Sequence, residues 1–168
     1  MLKIINSRAS VRAWTDKKVP VSMIEKILEA GMNAPSAGNQ QPWQFVVVTD
    51  KDLLEKMAAI NPYGAFVGKA PCAILVCGDT KLEKFKGFWV QDCSAATENM
   101  LLAMHALKLG GVWTGIYPRT DRISNFTSLF KLPKGVEPLA LLPFGYPAVP
   151  LKKRPSRYKN ERVHFNSW

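Results

Sequence analysis

Cysteine is scarce in this sequence of 168 residues. The three present, Cys72, Cys77 and Cys93, are odd in number and fit no zinc spacing. They read as buried small side chains of a reducing compartment rather than a disulfide framework. No apolar run approaches the ~18 residues of a membrane span. Met1 to Asn6 carries no apolar stretch of signal-peptide length. The expectation is a cytoplasmic protein with no membrane partner. Histidine occurs twice, at His105 and His164, and neither has a Ser, Cys or carboxylate partner at a nucleophile-like spacing. Both read as structural. There is no internal repeat, no low-complexity stretch, no Gly/Ser linker and no glycine-rich dinucleotide fingerprint.

Acid is also in short supply, with 13 Asp and Glu against 23 Lys and Arg and a net charge of +10. Hydrophobic residues make up 47% and charged residues 21%, a globular balance that excludes a disordered chain. The length fits a single domain spanning 1–168. The charge is concentrated at the ends: residues 1–20 carry +4 and residues 151–168 carry +5, so the middle is nearly neutral. Termini that meet in space would form one cationic patch suited to a phosphate, a nucleic acid or an acidic partner. Two solvated tails are the bland alternative.

Hydrophobic periodicity places the elements. A helix is expected over 22–33, with Ser22 and Glu25 as a capping box and Pro35 as its stop. A loop over 34–42 leads into a buried strand, Trp43 to Thr49. Asp50 can cap a short helix. A second buried strand covers 72–77. The longest helix covers about 88–109, with Val90, Cys93, Ala96, Met100, Leu101, Met104 and Leu107 on one stripe. That stripe could face the chain's own core or a partner chain. Gly110 and Gly111 are expected to terminate it. A strand over 112–116, a helix over 122–130 and a last strand over 138–146 follow. Pro143 suggests that the last strand is an edge or carries a bulge. Alternating buried strands and helices mean a layered fold, α/β or α+β.

Four stretches carry polar chemistry. In Arg8-Ala9-Ser10-Val11-Arg12, alternate residues of an extended segment point one way. Arg8, Ser10 and Arg12 can therefore converge on one phosphate. Lys152-Lys153-Arg154 could add charge to it. The loop Ala34-Pro35-Ser36-Ala37-Gly38-Asn39-Gln40-Gln41-Pro42 offers the amides of Asn39, Gln40 and Gln41 to a heterocycle edge. In Gly110-Gly111-Val112-Trp113-Thr114-Gly115, Gly115 allows close backbone approach to a flat ligand. Each has a plain alternative: a basic surface segment, a solvated run, a capped turn, a turn before a strand.

Taken together and in order, RASVR, NAPSAGNQQPW, GGVWTGIYP, PFGYPA, KKRPSRY and ERVHFNSW resemble the nitroreductase family of flavin enzymes, across essentially the whole chain. The resemblance implies an α+β three-layer sandwich, with a mixed, mostly antiparallel central sheet flanked by helices, in an intertwined homodimer. It implies FMN, held without a covalent bond in the dimer interface. Arg8, Ala9, Ser10 and Arg12 match the family's flavin-phosphate motif. Lys152 and Arg154 match a basic pair at the same phosphate. Pro35, Ser36, Ala37 and Asn39 match a loop that the other subunit lays beside the flavin ring. Thr114 and Gly115 match the backbone that approaches flavin N5, although some relatives carry an acidic residue before that glycine.

The implied activity is FMN-dependent oxidoreduction. NADH or NADPH passes hydride to flavin N5, and a nitroaromatic, quinone or similar small acceptor is then reduced, by a ping-pong mechanism. No side chain is implied as an essential acid or base. A flavin store or sensor without nicotinamide turnover is the alternative. A nucleic-acid partner is not expected, since no motif that reads nucleic acid is present.

Overall fold

The computed structural model describes residues 1–62, 64–151 and 155–168. Among these, five α-helices and five strands follow one another as α1 (Leu2–Ser7), α2 (Val21–Met32), β1 (Trp43–Val48), α3 (Lys51–Ala59), β2 (Cys72–Asp79), α4 (Trp89–Ala106), β3 (Gly110–Gly111), β4 (Thr114–Gly115), α5 (Thr120–Phe130) and β5 (Val136–Gly145). The strands form one sheet in the order β1-β2-β5-β3, and β4 also pairs with β5. Every strand pair among the described residues is antiparallel. The parallel pairing that a mixed sheet would need is absent from these pairs. The fold is α+β.

The β2 run shows why two helical layers are required. All of Cys72–Gly78 is buried, so both faces of the strand need cover. Cys72, Ile74 and Val76 pack toward α2 and α4; Ala73, Leu75 and Cys77 pack toward α3 and α5. Side chains alternate across a strand, so one run supplies both cores. The α4 stripe completes the first core with Cys93, Ala96, Met100, Leu101 and Met104. It faces its own sheet and α2.

Several local expectations are revised. β1 is an edge strand in which only Trp43 and Val48 are buried, not a fully buried one. The cap of α2 is Pro20, and no side chain from Ser22 closes a capping box. Asp50 does cap α3, accepting from the Leu53 amide at 2.8 Å. α4 ends at Ala106. The left-handed residue after it is Lys108, at φ 62, and Gly110–Gly111 form a strand instead of a cap. Of the expected strand over 112–116 only Thr114–Gly115 is strand, as β4, and a break at Val112 and Trp113 separates it from β3.

That break explains Pro143. β5 lies inside the sheet, and its bulge falls opposite Val76 and Cys77, away from Pro143. The Pro143 carbonyl accepts from Val112 N at 3.3 Å, so this edge of the residue faces the gap between β3 and β4. Its missing N–H falls where no ladder partner stands. Helix α1 has no side-chain cap bond and no buried residue, and so offers no hydrophobic period to read. No helix among the described residues is long and apolar enough to cross a membrane.

Candidate functional site

The basic N-terminal segment is extended and seated through its odd residue. Arg8 leaves α1 at φ −55, ψ 132. Val11 is buried against Gly110, and its amide donates to the Gly111 carbonyl at 3.1 Å. Arg12, its neighbour, is exposed, with its guanidinium carbon 5.8 Å from the centre of the Phe66 ring. Burial of Val11 turns the flanking positions, Ser10 and Arg12, the other way, as the alternation predicts. Arg8 is half-buried and its Nε lies 3.4 Å from Glu98 Oε1 on α4. Ala9 and Ser10 are half-buried between the two arginines.

Residues 13–15, which follow the N-terminal basic segment, lie against residues 146–148. Trp14 bridges to Pro147, Thr15 N donates to Tyr146 O at 2.9 Å, and Ala148 N donates to Ala13 O at 3.0 Å. Trp14 Nε1 is anchored on the Gly110 carbonyl at 2.6 Å. Lys152 and Arg154 themselves lie outside the described residues.

The loop after α2 is held by a relay that the sequence does not disclose. Buried Asp92, in the first turn of α4, accepts from Ala37 N at 2.9 Å and from Gln40 Nε2 at 2.6 Å. Gln40 Oε1 accepts from the amides of Lys84 and Phe85, at 2.8 and 3.2 Å. The Gln40 amide is therefore spent inside the protein and is not offered to a heterocycle. Asn39 and Gln41 are exposed, with φ of 53 and 47. Ser36 Oγ accepts from Gln41 N at 3.1 Å. Pro35 is exposed, and Ser36 and Ala37 are half-buried. Asp92 and Gln40 stand 52 residues apart, and no local spacing signals such a pair.

Thr114 and Gly115 form the third part. Thr114 is buried, and its Oγ1 donates to the Leu141 carbonyl at 2.8 Å, so its side chain serves the sheet. The Gly115 carbonyl accepts from Arg122 Nη1 at 2.7 Å. On the side where a Cβ would stand, Gly115 has nothing within 4 Å. Ile116 points into the α3–α5 core, so Gly115 and Tyr117 face the α4 side. Tyr117 meets the Trp89 ring edge-on at 5.1 Å there.

One chain does not bring these parts together around a single point. Ala37 is tied to Asp92 at the start of α4, whereas Val11 is tied to Gly111 beyond its end. About 20 Å of helix axis lies between Asp92 and Ala106, at ~1.5 Å per residue.

The remaining candidates have structural employment. His105 Nε2 is 2.7 Å from Ser7 Oγ and pins α1 to α4. Its pKa is lowered, first by burial and then by nearby Arg8. His164 stacks on Trp168 at 4.5 Å. All three cysteines are buried and free. Burial pushes the Cys72 and Cys77 thiols up to about 12 and Cys93 higher still, so none is a ready thiolate.

The family model described as the nitroreductase family matches residues 5–62 and 58–146. A protein of Methanothermobacter thermautotrophicus, provisionally named NADH dehydrogenase/NAD(P)H nitroreductase, is 47% identical over all of this chain and 87% of its own length. An FMN-dependent nitroreductase of Clostridium difficile has the same fold, with a TM-score of 0.91 at 27% identity and complete coverage of both chains. A provisionally named nitroreductase of Desulfovibrio desulfuricans, solved in complex with FMN, matches with a TM-score of 0.85 at 33% identity, over 99% of this chain and 96% of that one. The chain belongs to the nitroreductase family of oxidoreductases.

Proposed function

We propose that this chain is one FMN-binding domain that works as a homodimer, moving electrons from NADH or NADPH to a nitroaromatic, quinone or similar small acceptor. The observation that carries this reading is the open side of Gly115. A strand position beside a packed helix faces empty space there, while its neighbour Thr114 and its own carbonyl are fully engaged. A flat ring can rest on such backbone, and the groups present fit FMN. Arg8, Ser10 and Arg12 would hold its phosphate, joined by Lys152 and Arg154. Glu98 holds Arg8 through Nε and orients the guanidinium. Arg122 fixes the Gly115 carbonyl and with it the strand edge against which the ring would lie.

FMN, when bound, supplies a two-electron carrier that both substrates meet in turn. The protein's share is binding, orientation and exclusion of water. The thiols are not ionised at neutral pH, and His105 is committed to Ser7. The loop carrying Pro35, Ser36, Ala37 and Asn39 is anchored far from Val11 of its own chain. A second copy would place that loop beside the ring, which is why the dimer belongs to the reading.

The test is direct. The purified protein is expected to be yellow and to release about one FMN per chain on denaturation. NADH or NADPH should bleach it in stopped flow. A protein that neither carries FMN nor takes it up on reconstitution overturns the reading. A flavin that neither nucleotide reduces leaves binding without turnover.

A further inference from the structure

Helix α1 is not held in place by burial. None of its six residues is buried, and Leu2 and Ile5 are 74% and 46% exposed. A helix this short has little stability of its own. Polar contacts with α4 fix it instead. Ser7 Oγ has one proton and donates it to Lys3 O at 2.7 Å. Its oxygen must therefore accept from His105 Nε2, also 2.7 Å away, which puts the ring proton on Nε2. Burial, and then Arg8, lower the pKa of His105, so at neutral pH the ring is an uncharged donor and not a cation for a phosphate.

This bond stands where the basic N-terminal segment begins. The Arg8 amide still belongs to α1, donating to Ile4 O at 2.9 Å, and its ψ of 132 then turns the chain extended. At the far end Val11 N donates to Gly111 O at 3.1 Å. Arg8, Ala9 and Ser10 are thus strung between two anchors, His105 on α4 and Gly111 on β3. The Arg8 guanidinium is gripped by Glu98, 3.4 Å from its Nε. Glu98 and His105 stand at i and i+7 on α4 and so share one face of it. One side chain of that face holds the arginine's head, and the other holds the backbone from which the arginine departs. We propose that His105 is a positioning residue for the flavin phosphate: by fixing the end of α1 it sets the place from which Arg8 reaches, and so decides how far the protein prefers FMN to riboflavin. The inference rests on the reading of Arg8 as a phosphate ligand given above. His105 acts through Arg8 and needs no contact with the flavin.

The experiment titrates flavin-stripped protein with FMN and with riboflavin, which has the same ring and no phosphate. His105→Leu and Ser7→Ala are each expected to lower FMN affinity about threefold to tenfold, the worth of one ordinary hydrogen bond. Riboflavin affinity should stay as it is. His105→Gln should keep the wild-type affinity for FMN, because its side-chain amide supplies a donor in place of Nε2. In an Arg8→Ala background His105→Leu should cost nothing further. An FMN-to-riboflavin ratio that keeps its wild-type value in His105→Leu or Ser7→Ala overturns the proposal. So does a His105→Gln variant as weak as His105→Leu, or a His105→Leu loss that persists in full without Arg8. If His105→Leu does not fold, Ser7→Ala carries the test, since Ser7 is exposed. A wild type that binds neither flavin, or Arg8→Ala with full FMN affinity, defeats the underlying reading instead, and both are read before any variant of His105 is made.

Discussion

Replacing Asp92 by Asn changes one atom and should frustrate the whole loop relay. Asp92 accepts twice, from Ala37 N and from Gln40 Nε2, in a site 4% exposed. An asparagine can accept once on that side and must donate on the other. Its NH₂ then faces the NH₂ of Gln40. Gln40 cannot escape by turning its amide over, because its oxygen is needed by the amides of Lys84 and Phe85. One buried donor is left unpaired whichever way the two amides turn. Such a group costs about 1–3 kcal/mol. For a chain of this size that is roughly 2–12 °C in Tm, at about 2–4 °C per kcal/mol.

A second substitution supplies the control. Gln40→Glu alone sets two carboxylates face to face in a buried site and should also destabilise. Combined with Asp92→Asn it restores every donor to an acceptor. The carboxylate introduced at position 40 would accept from Lys84 N, Phe85 N and the new side-chain amide at position 92. The oxygen of that amide keeps Ala37 N. Urea unfolding of the wild type, both single variants and the double variant closes the cycle. The double variant should be more stable than the sum of the single losses by at least ~1 kcal/mol, a coupling within the range for residues in direct contact. Single variants as stable as wild type, or losses that simply add, would refute the relay.

Other outcomes follow from the same geometry. Arg8→Ala and Arg12→Ala should each weaken FMN binding about tenfold to a hundredfold, since a charge-assisted hydrogen bond contributes roughly 1.5–3 kcal/mol; fluorescence titration with unchanged Kd would place the phosphate elsewhere. Gly38→Ala should lower stability by about 1–2 kcal/mol for its left-handed backbone alone, and more because Phe85 must move, as read by urea unfolding. His105 has a lowered pKa, so the unfolded chain takes up its proton first. Its contribution is complete above the unfolded value of ~6.5 and is lost as pH falls through the lower folded value. In His105→Gln the decline in stability between neutral and mildly acidic pH should be shallower, and identical pH profiles would count against that linkage.

The features legible without the structure are those that local chemistry decides. The runs at 72–77 and 138–146 are apolar because both sheet faces are covered, and they read as buried strands for that reason. The turning of Ser10 and Arg12 away from buried Val11 is legible because alternation in an extended segment needs no tertiary knowledge. Asp50 is legible as a cap because its partner stands three residues away. What escapes depends on distant partners. The run Trp43–Val48 gives no hint that β1 lies at an edge, since it is largely apolar while only its two ends are buried. Pro143 misleads because the gap that accommodates it is made by Val112 and Trp113 on another part of the chain. Gln40 looks like a ligand contact only while Asp92 is not known to face it.

The central claim is that the open side of Gly115 receives the flavin ring. Gly115→Val tests it most directly. The backbone φ there is not in the left-handed region and the space beside it is empty, so the valine should fit the strand without loss of stability. Its side chain would occupy the place claimed for the ring. Titration of FMN into flavin-stripped protein, paired with urea unfolding of the same samples, reads both consequences. The account predicts unchanged or higher stability with FMN affinity lowered at least tenfold. Full FMN affinity in a folded Gly115→Val protein would contradict it.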